Sequence, residues 1–263
     1  MELHLKNKRA LVTGSSKGLG YATARGLALE GVKVAINGRK QPDLVKSAAK
    51  LTDESSIEVL ALPGDISDPH VPLQLVEQIV AKWGGLDLLV TNAGGPPSGL
   101  FETLDDLTWD HAIETTLLSH VRLIRAALPY LRQSKDASIL TITSYSVKQP
   151  LQNLVLSNSI RSATVGLTKT LALELGGYGI RVNSILPAWI DTERTFELDS
   201  YRAHLNGTTL EEERIRKAKD TALGRMGTPE EFANAAIFLL SPAASYITGV
   251  MLTIDGGLYK GTL

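Results

Sequence analysis

The chain has 263 residues, with 27 Lys and Arg against 28 Asp and Glu, and it contains no cysteine. The lack of cysteine excludes disulfides, thiolate metal sites and a thiol nucleophile. The formal net charge of −1 argues against a broad surface for nucleic acid or an anionic membrane. No apolar run reaches the ~18 residues of a membrane span, the start has no apolar signal core, and the histidines are scattered. We expect a soluble cytoplasmic protein with no nucleic-acid or membrane partner and no metal.

Short apolar or β-branched runs alternate along the chain with longer segments of helical periodicity. Strands are predicted at about 10–12, 32–36, 57–62, 86–90, 138–142, 180–186 and 250–254. Helices are predicted at about 18–30, 42–51, 73–83, 154–175 and 229–240. Strand–helix alternation of this kind builds parallel sheets covered on both faces. The predicted fold is therefore α/β, a Rossmann-type doubly wound parallel sheet of about seven strands, in a single domain over 1–263.

The segment 188–227 differs from the rest because it is rich in charged residues. We interpret it as an insertion with one or two short helices. It is either a solvated surface excursion or a flap over the substrate. The flap is favoured because the segment leaves the C-terminal end of a predicted strand, which is where open α/β sheets bind ligands.

A glycine-rich turn connects the first strand to the first helix: Thr13-Gly14-Ser15-Ser16-Lys17-Gly18-Leu19-Gly20. Glycine permits positive φ and a close approach of the backbone to a ligand. The following helix N-terminus presents free N–H groups that suit a pyrophosphate. In this strand–turn–helix context the turn indicates dinucleotide binding rather than an ordinary tight turn. No Gly-Lys-Ser/Thr ends it, so it is not the phosphate loop of nucleotide hydrolases.

The spacing Thr-Gly-x-x-x-Gly-x-Gly resembles that of the short-chain dehydrogenase/reductase family. Other segments that resemble the family are Asn92-Ala93-Gly94, Gly179-Ile180-Arg181-Val182-Asn183 with Pro187, Ile190-x-Thr192, and Ile247-Thr248-Gly249 with Asp255-Gly256-Gly257. Ala188 stands where the family has a glycine. The resemblance covers about 6–258. It implies redox chemistry on a small carbonyl or alcohol substrate, with 3-oxoacyl-carrier-protein reductase among the nearest activities, and a homodimer or homotetramer.

The residues after the second strand bear on the choice of cofactor. NAD-specific dinucleotide folds place an acidic residue there for the ribose 2′-hydroxyl, whereas this chain has Asn37. Arg39 and Lys17 are placed to hold a 2′-phosphate through charge-assisted bonds, unless they are ordinary exposed bases. We therefore favour NADP(H) over NAD(H). The resemblance assigns further cofactor contacts to Asp65, Ile66, Asn92, Ala93, Gly94, Pro187, Ile190 and Thr192, although Asp65 also suits a plain turn.

The catalytic residues that the resemblance implies are incomplete. The family uses a Ser, a Tyr, a Lys four residues after the Tyr, and an Asn on an earlier helix. Here the Ser is kept as Ser144, while Ser157, Arg161 and Thr116 stand at the other three places. A Ser hydroxyl is a far weaker acid than a Tyr, and Arg does not exchange protons as Lys does. Loss of general acid–base catalysis costs roughly 10²–10⁴ in rate.

Two functions remain open on the sequence. The first is an NADP(H)-dependent oxidoreductase with a non-standard active site, in which Arg161 still donates hydrogen bonds to the cofactor ribose. The second is a catalytically silent dinucleotide-binding protein, acting as a cofactor sensor or partner subunit. Candidate proton donors are Tyr145, Lys148, His204, water and the substrate itself. The sequence does not choose among them, and it does not identify the substrate.

Overall fold

Seven parallel strands form one sheet in this computed structural model, which describes residues 1–262. The strands are β1 Arg9–Val12, β2 Lys33–Gly38, β3 Val59–Pro63, β4 Leu88–Thr91, β5 Ser138–Ile142, β6 Arg181–Pro187 and β7 Met251–Ile254. Their spatial order is β3-β2-β1-β4-β5-β6-β7. The predicted doubly wound parallel sheet is confirmed.

Helices connect successive strands and cover both faces of the sheet. They are α1 Gly18–Leu29, α2 Gln41–Ser55, α3 Val71–Trp83, α4 Asp106–Ile113, α5 Ser119–Leu131, α6 Val155–Leu175, α7 Glu193–Asn206, α8 Leu210–Asp220 and α9 Pro229–Leu240. A π-helical turn, Glu114–Leu118, joins α4 to α5. Sequence periodicity located the strands to within two residues, but it ended α2 four residues early because 52–55 are polar.

The core consists of two layers, one on each side of the sheet. Alternate residues of β1 serve the two layers: Val12 packs in the layer with Leu27 of α1 and Phe232 of α9. Leu11 packs in the layer with Leu75 of α3 and Leu123 of α5. Successive side chains of a strand point to opposite faces, so strands buried on both sides are mostly apolar. This explains why the strands appear in the sequence as short continuous apolar runs.

The strand order reverses between β1 and β4, which pair with each other at the centre of the sheet. The chain leaves β1 toward β2 on one side, and it leaves β4 toward β5 on the other. The connections after these two strands therefore diverge, and a crevice opens between them at the carboxyl ends. Ligands of open α/β sheets bind at such a point.

Segment 188–227 contains α7 and α8 and lies beyond the carboxyl end of β6. Thr192 caps α7 by accepting a hydrogen bond from the backbone N–H of Thr195. Thr209 and Glu212 form a capping box at the start of α8. The two helices are joined by a buried ion pair between Lys217 and Asp199. We call this pair of helices the flap.

Candidate functional site

A cleft of about 580 Å³ lies at the carboxyl ends of the strands. It extends from the glycine turn after β1, past the turns after β2, β3 and β4, to β5, α6 and the start of the flap. The predicted cofactor residues that line it are Gly14, Ser16, Lys17, Gly18, Leu19, Arg39, Asp65, Ile66, Asn92, Ala93, Gly94, Arg161, Pro187, Ile190 and Thr192. Residues from distant parts of the sequence thus share one cavity.

The turns after β1 and β4 are held together by side-chain hydrogen bonds. The Asn92 amide donates to the carbonyl of Gly14 at 2.9 Å, and the Thr13 hydroxyl donates to the carbonyl of Asn92 at 2.9 Å. Gly20 lies outside the lining; a Cβ on it would stand 2.4 Å from the Gly14 oxygen. The absence of a side chain at position 20 therefore allows the turn to pack against the helix and does not serve contact with a ligand.

Two other glycines leave open space on the cleft side. A Cβ on Gly94 would meet no atom within 4 Å, although Gly94 lines the cleft. Gly18 adopts φ +62°, and its Cβ would approach only Glu193, at 3.8 Å. A side chain at Gly94 would fit the protein but would enter the cleft, and Gly18 also needs glycine for its positive φ. Together with the free N–H groups at the start of α1, this cradle fits the diphosphate of a dinucleotide.

The adenosine end differs from the sequence expectation at Asn37. Its side chain is buried and donates hydrogen bonds to the carbonyls of Leu62 at 2.9 Å and Gly64 at 3.1 Å. Its amide is thus used to join β2 to β3 and is not offered to a ribose. The next residue, Gly38, lines the cleft between Ser16 and Arg39. A Cβ at position 38 would lie 3.3 Å from the hydroxyl oxygen of Ser16, which also lines the cleft.

The two predicted phosphate-binding bases lie at the rim of this end. Arg39 is 75% exposed, and its guanidinium is 3.9 Å from the carboxylate of Asp65. Lys17 is exposed and precedes α1. Asp65 also stabilises its own turn, since one of its oxygens accepts hydrogen bonds from the backbone and hydroxyl of Ser67. The turn interpretation and a contact with the cofactor are compatible for Asp65.

The other end of the cleft contains Ser144, Ser157 and Arg161. Ser144 follows β5, and its Oγ accepts a hydrogen bond from the backbone N–H of Ser146 at 3.1 Å, which leaves the hydroxyl proton free to donate. Ser157 and Arg161 lie one turn apart on α6. The sheet therefore places the three predicted residues together, since β5 and α6 pack side by side.

The Arg161 guanidinium is buried and anchored on the end of β5. Its Nη1 donates to the carbonyls of Ile142 at 3.2 Å and Thr143 at 3.0 Å. Burial, and then the nearby charge of Arg194, lower its pKa to about 10. Arg161 therefore remains a cation at neutral pH, in a place shielded from water.

Thr116 lies outside the cleft. It is fully buried, and its hydroxyl has no hydrogen-bond partner in residues 1–262. Its carbonyl accepts a hydrogen bond from the Thr164 hydroxyl at 2.9 Å. Thr115, its neighbour in the π-helical turn, lines the cleft instead. The role of relay residue assigned to Thr116 thus stays a prediction without a contact to the cavity.

The substitute donors considered from sequence are poorly placed. Tyr145 touches the cleft, but its hydroxyl donates to Gln149 at 2.7 Å. Lys148 sits over the ring of Tyr259, 5.6 Å from its centroid, and it is absent from the cleft lining, as is His204. Besides Ser144 and Ser157, the polar residues His111 and Thr115 of α4 and the π-helical turn line the cleft.

Three residues near this end escaped sequence reasoning. Trp189 and Arg194 line the cleft from the flap side. Behind Arg161, His120 is buried, with Nδ1 2.5 Å from the Thr91 hydroxyl. Burial, and then Arg161, lower the pKa of His120 to about 3, so its ring is neutral. The only sequence signal for Arg194 was its position two residues after Thr192.

Comparison with known proteins settles the family. A family model described as enoyl-(acyl carrier protein) reductase matches residues 14–259. The chain belongs to the short-chain dehydrogenase/reductase family. It is 32% identical to the 3-oxoacyl-[acyl-carrier-protein] reductase FabG of Chlamydia muridarum, over 97% of this chain and 98% of that protein. It is 34% identical to tropinone reductase-like 3 of Erythroxylum coca, over 96% and 93%.

A solved short-chain dehydrogenase/reductase structure has the same fold. L-Sorbose reductase from Gluconobacter frateurii, crystallised with NADPH and L-sorbose, superposes with a TM-score of 0.94 at 31% identity, covering 99% of this chain and 100% of that chain. The similarity confirms that the chain is related to oxidoreductases. In residues 1–262 no helix has both the length and the apolar character needed to cross a bilayer.

Proposed function

We propose that this short-chain dehydrogenase/reductase is an NADP(H)-dependent reductase of a small carbonyl compound that works with a non-standard active site. The observation that carries the proposal is the continuity of the cleft, which joins the glycine turn at one end to Ser144, Ser157 and Arg161 at the other. A bound dinucleotide would reach from the turn to these residues. L-Sorbose reductase, bound to NADPH, supports the same assignment.

The groups that would hold the cofactor follow from the geometry. Backbone N–H groups of Gly18 and Leu19, which line the cleft at the start of α1, would donate to the diphosphate. Lys17 and Arg39 would pair with a 2′-phosphate, and no acidic side chain at position 38 opposes it. Thr192 and Arg161 would donate to the nicotinamide half. When bound, the dinucleotide supplies the hydride for carbonyl reduction.

The residues of this chain would act on the oxygen of the substrate. As the carbonyl carbon accepts the hydride, the electron pair of the C=O bond moves to oxygen. Ser144 and Ser157 would donate hydrogen bonds to that oxygen, and the Arg161 charge would stabilise the alkoxide at short range in a buried site. The proton that completes the alcohol would come from water through the Ser157 hydroxyl.

A second function, dinucleotide binding without turnover, is supported by the hydrogen bonds of Arg161 and Tyr145. The Arg161 guanidinium is tied to the end of β5, and the Tyr145 hydroxyl donates to Gln149. Neither group is thus free to act as a general acid, and the reaction would be slower by roughly 10²–10⁴ without one. Under this reading the chain senses the cofactor or serves a partner subunit.

One pair of measurements separates the two functions. Fluorescence titration with NADPH and NADH gives cofactor affinity, while a panel of ketones, aldehydes and 3-oxoacyl thioesters gives turnover. Binding together with turnover supports the reductase, and binding without any turnover supports the silent protein. Gly94→Val, which fills the cradle, should abolish binding, while the exposed Gly177→Ala serves as control. Failure of the wild-type protein to bind either dinucleotide would overturn both.

Cellular location and assembly belong to the same proposal. We infer that the protein is cytoplasmic. We also infer that it is a homodimer or homotetramer, because relatives of this family usually pair through the helices that correspond to α5 and α6. Analytical ultracentrifugation of the purified chain would test the assembly.

A further inference from the structure

Arg194 spans the mouth of the cleft from the flap to the opposite wall. It is the second residue of α7, and its Nη2 donates to the carbonyl of Pro96 at 3.1 Å. Its guanidinium also lies 3.4 Å from where a Cβ on Gly95 would be. Its ion pair with the exposed Glu197 is long, at 3.4 Å. Arg194 is therefore held by neutral groups and one weak, solvent-exposed charge.

Arg161, deeper in the same cleft, has no acidic partner in the described residues. It is only 7% exposed, and its hydrogen bonds to the protein come from Nη1 alone. Its Nε and Nη2 make no hydrogen bond within the described residues, and Arg161 lines the cleft. A buried cation without a counter-ion is costly, and an anion brought next to it is stabilised more strongly than in water.

Of the acidic side chains that line the cleft, Glu197 forms the long, exposed ion pair with Arg194, and none pairs with Arg161 in the described residues. Asp65 lies beside Arg39 at the adenosine end, and Glu193 lies toward Gly18. Asp191, next to the cleft, accepts hydrogen bonds from Nη1 and Nη2 of Arg214. The end that contains Ser144 and Ser157 is thus positive. Its apolar walls, from Leu151 and Leu154, do not supply a compensating charge.

We propose that the substrate is an oxo acid, whose carboxylate is held by Arg194 with support from the Arg161 charge while its carbonyl faces Ser144 and Ser157. A guanidinium binds a carboxylate through two parallel hydrogen bonds, and the Arg194 fork gains such a partner by leaving the Pro96 carbonyl. The carboxylate is unchanged in the reaction. Arg194 is then the residue that determines specificity. This inference rests on the proposed function, because it places the substrate in that cleft.

Matched acid and amide pairs test the proposal. The probes are acetoacetate, levulinate and 2-oxobutyrate, each compared with its own primary amide, titrated calorimetrically into the NADP⁺-loaded protein. Binding to the loaded protein is measured rather than turnover, so a silent protein can be tested as well. At least one acid should bind tenfold or more tightly than its amide. Equal affinities in all three pairs would overturn the proposal.

Substitution of Arg194 distinguishes a substrate contact from a cofactor contact. Arg194→Gln should abolish the preference for the acid and leave the NADPH affinity within twofold, while Arg194→Lys should keep part of the preference. Arg125→Gln, an exposed arginine on α5, is the control. If Arg194→Gln weakens NADPH as much as it weakens the acid, the residue serves the cofactor diphosphate and the proposal is wrong. Absence of dinucleotide binding in the wild type would instead contradict the proposed function.

Discussion

The side-chain amide of Asn37 donates a hydrogen bond to the carbonyl of Leu62 across the β2–β3 pair at 2.9 Å. Asn37, which the sequence predicts to lie beside the cofactor, therefore uses its side-chain amide to join two strands of the sheet. We therefore propose that selection between the two nicotinamide dinucleotides depends on the next position, Gly38, together with the basic pair Lys17 and Arg39.

A carboxylate introduced at position 38 should reverse the cofactor preference. In Gly38→Asp, the new charge would repel a 2′-phosphate and accept a hydrogen bond from a 2′-hydroxyl. We expect NADPH affinity to fall by about tenfold or more, equivalent to at least ~1.4 kcal/mol, and NADH affinity to rise, as measured by fluorescence titration. Gly38→Ala is the control, because a Cβ alone approaches Ser16 to 3.3 Å. Equal losses in both variants would mean that crowding, not charge, is responsible.

His120 should make the stability of the fold sensitive to mild acid. Its pKa is lowered to about 3 in the folded protein, against ~6.5 when unfolded. The unfolded chain thus binds more protons between these values, and stability falls as the pH drops below about 6.5. At about pH 5, His120 should account for a loss of ~2 kcal/mol relative to neutral pH. Urea denaturation of the wild type and His120→Gln at both pH values measures it.

The His120→Gln variant supplies the comparison within that experiment. Other groups titrate alike in both proteins, so only the difference between their pH slopes reports on His120. Parallel slopes would show that His120 titrates in the folded protein as it does in the unfolded chain.

The extent to which the sequence predicted the fold has a physical basis. Strands buried on both faces are mostly apolar, as in β4, where all four residues are buried and three are apolar. Such runs are visible without a structure. The end of α2 was missed because its last turn, 52–55, packs little and shows no apolar periodicity.

The sequence predicted the candidate site only where the functional residues are close together in the chain. The glycine turn and the residues after the strands follow from local spacing. In contrast, the hydrogen bond from Arg194 to Pro96 joins residues 98 positions apart, and the direction of the Asn37 amide depends on β3. Thr116 lies in the π-helical turn outside the cleft, and its carbonyl accepts a hydrogen bond from Thr164 of α6, which is also a contact between distant parts of the sequence.

Restoring the proton donor should raise turnover. In Ser157→Tyr/Arg161→Lys, the phenol is a much stronger acid than the Ser157 hydroxyl, and the lysine can lower its pKa further. We expect a gain of about 10²–10⁴ in kcat for carbonyl reduction, measured by NADPH oxidation. Ser157→Phe/Arg161→Lys is the control that fills the same space without a hydroxyl. A similar rate in both double variants would show that the cleft has been remodelled around position 157.

The flap should depend on its buried ion pair. Lys217 and Asp199 are almost fully buried, and the ammonium also lies 4.3 Å from the centre of the Trp189 ring. Lys217→Met leaves the Asp199 carboxylate buried without a cation, which should cost about 3–5 kcal/mol. Because this ion pair joins α7 to α8, the loss should appear first as faster amide hydrogen exchange in these two helices.

The double variant decides whether charge or shape holds the flap. Lys217→Met/Asp199→Leu removes both ions and keeps the volume apolar, so its exchange rates should return close to those of the wild type. Since Arg194 stands on the same helix as Asp199, the single variant should also weaken carboxylate binding, and the double variant should restore it. Wild-type exchange rates in Lys217→Met would show that the pair does not fasten the flap.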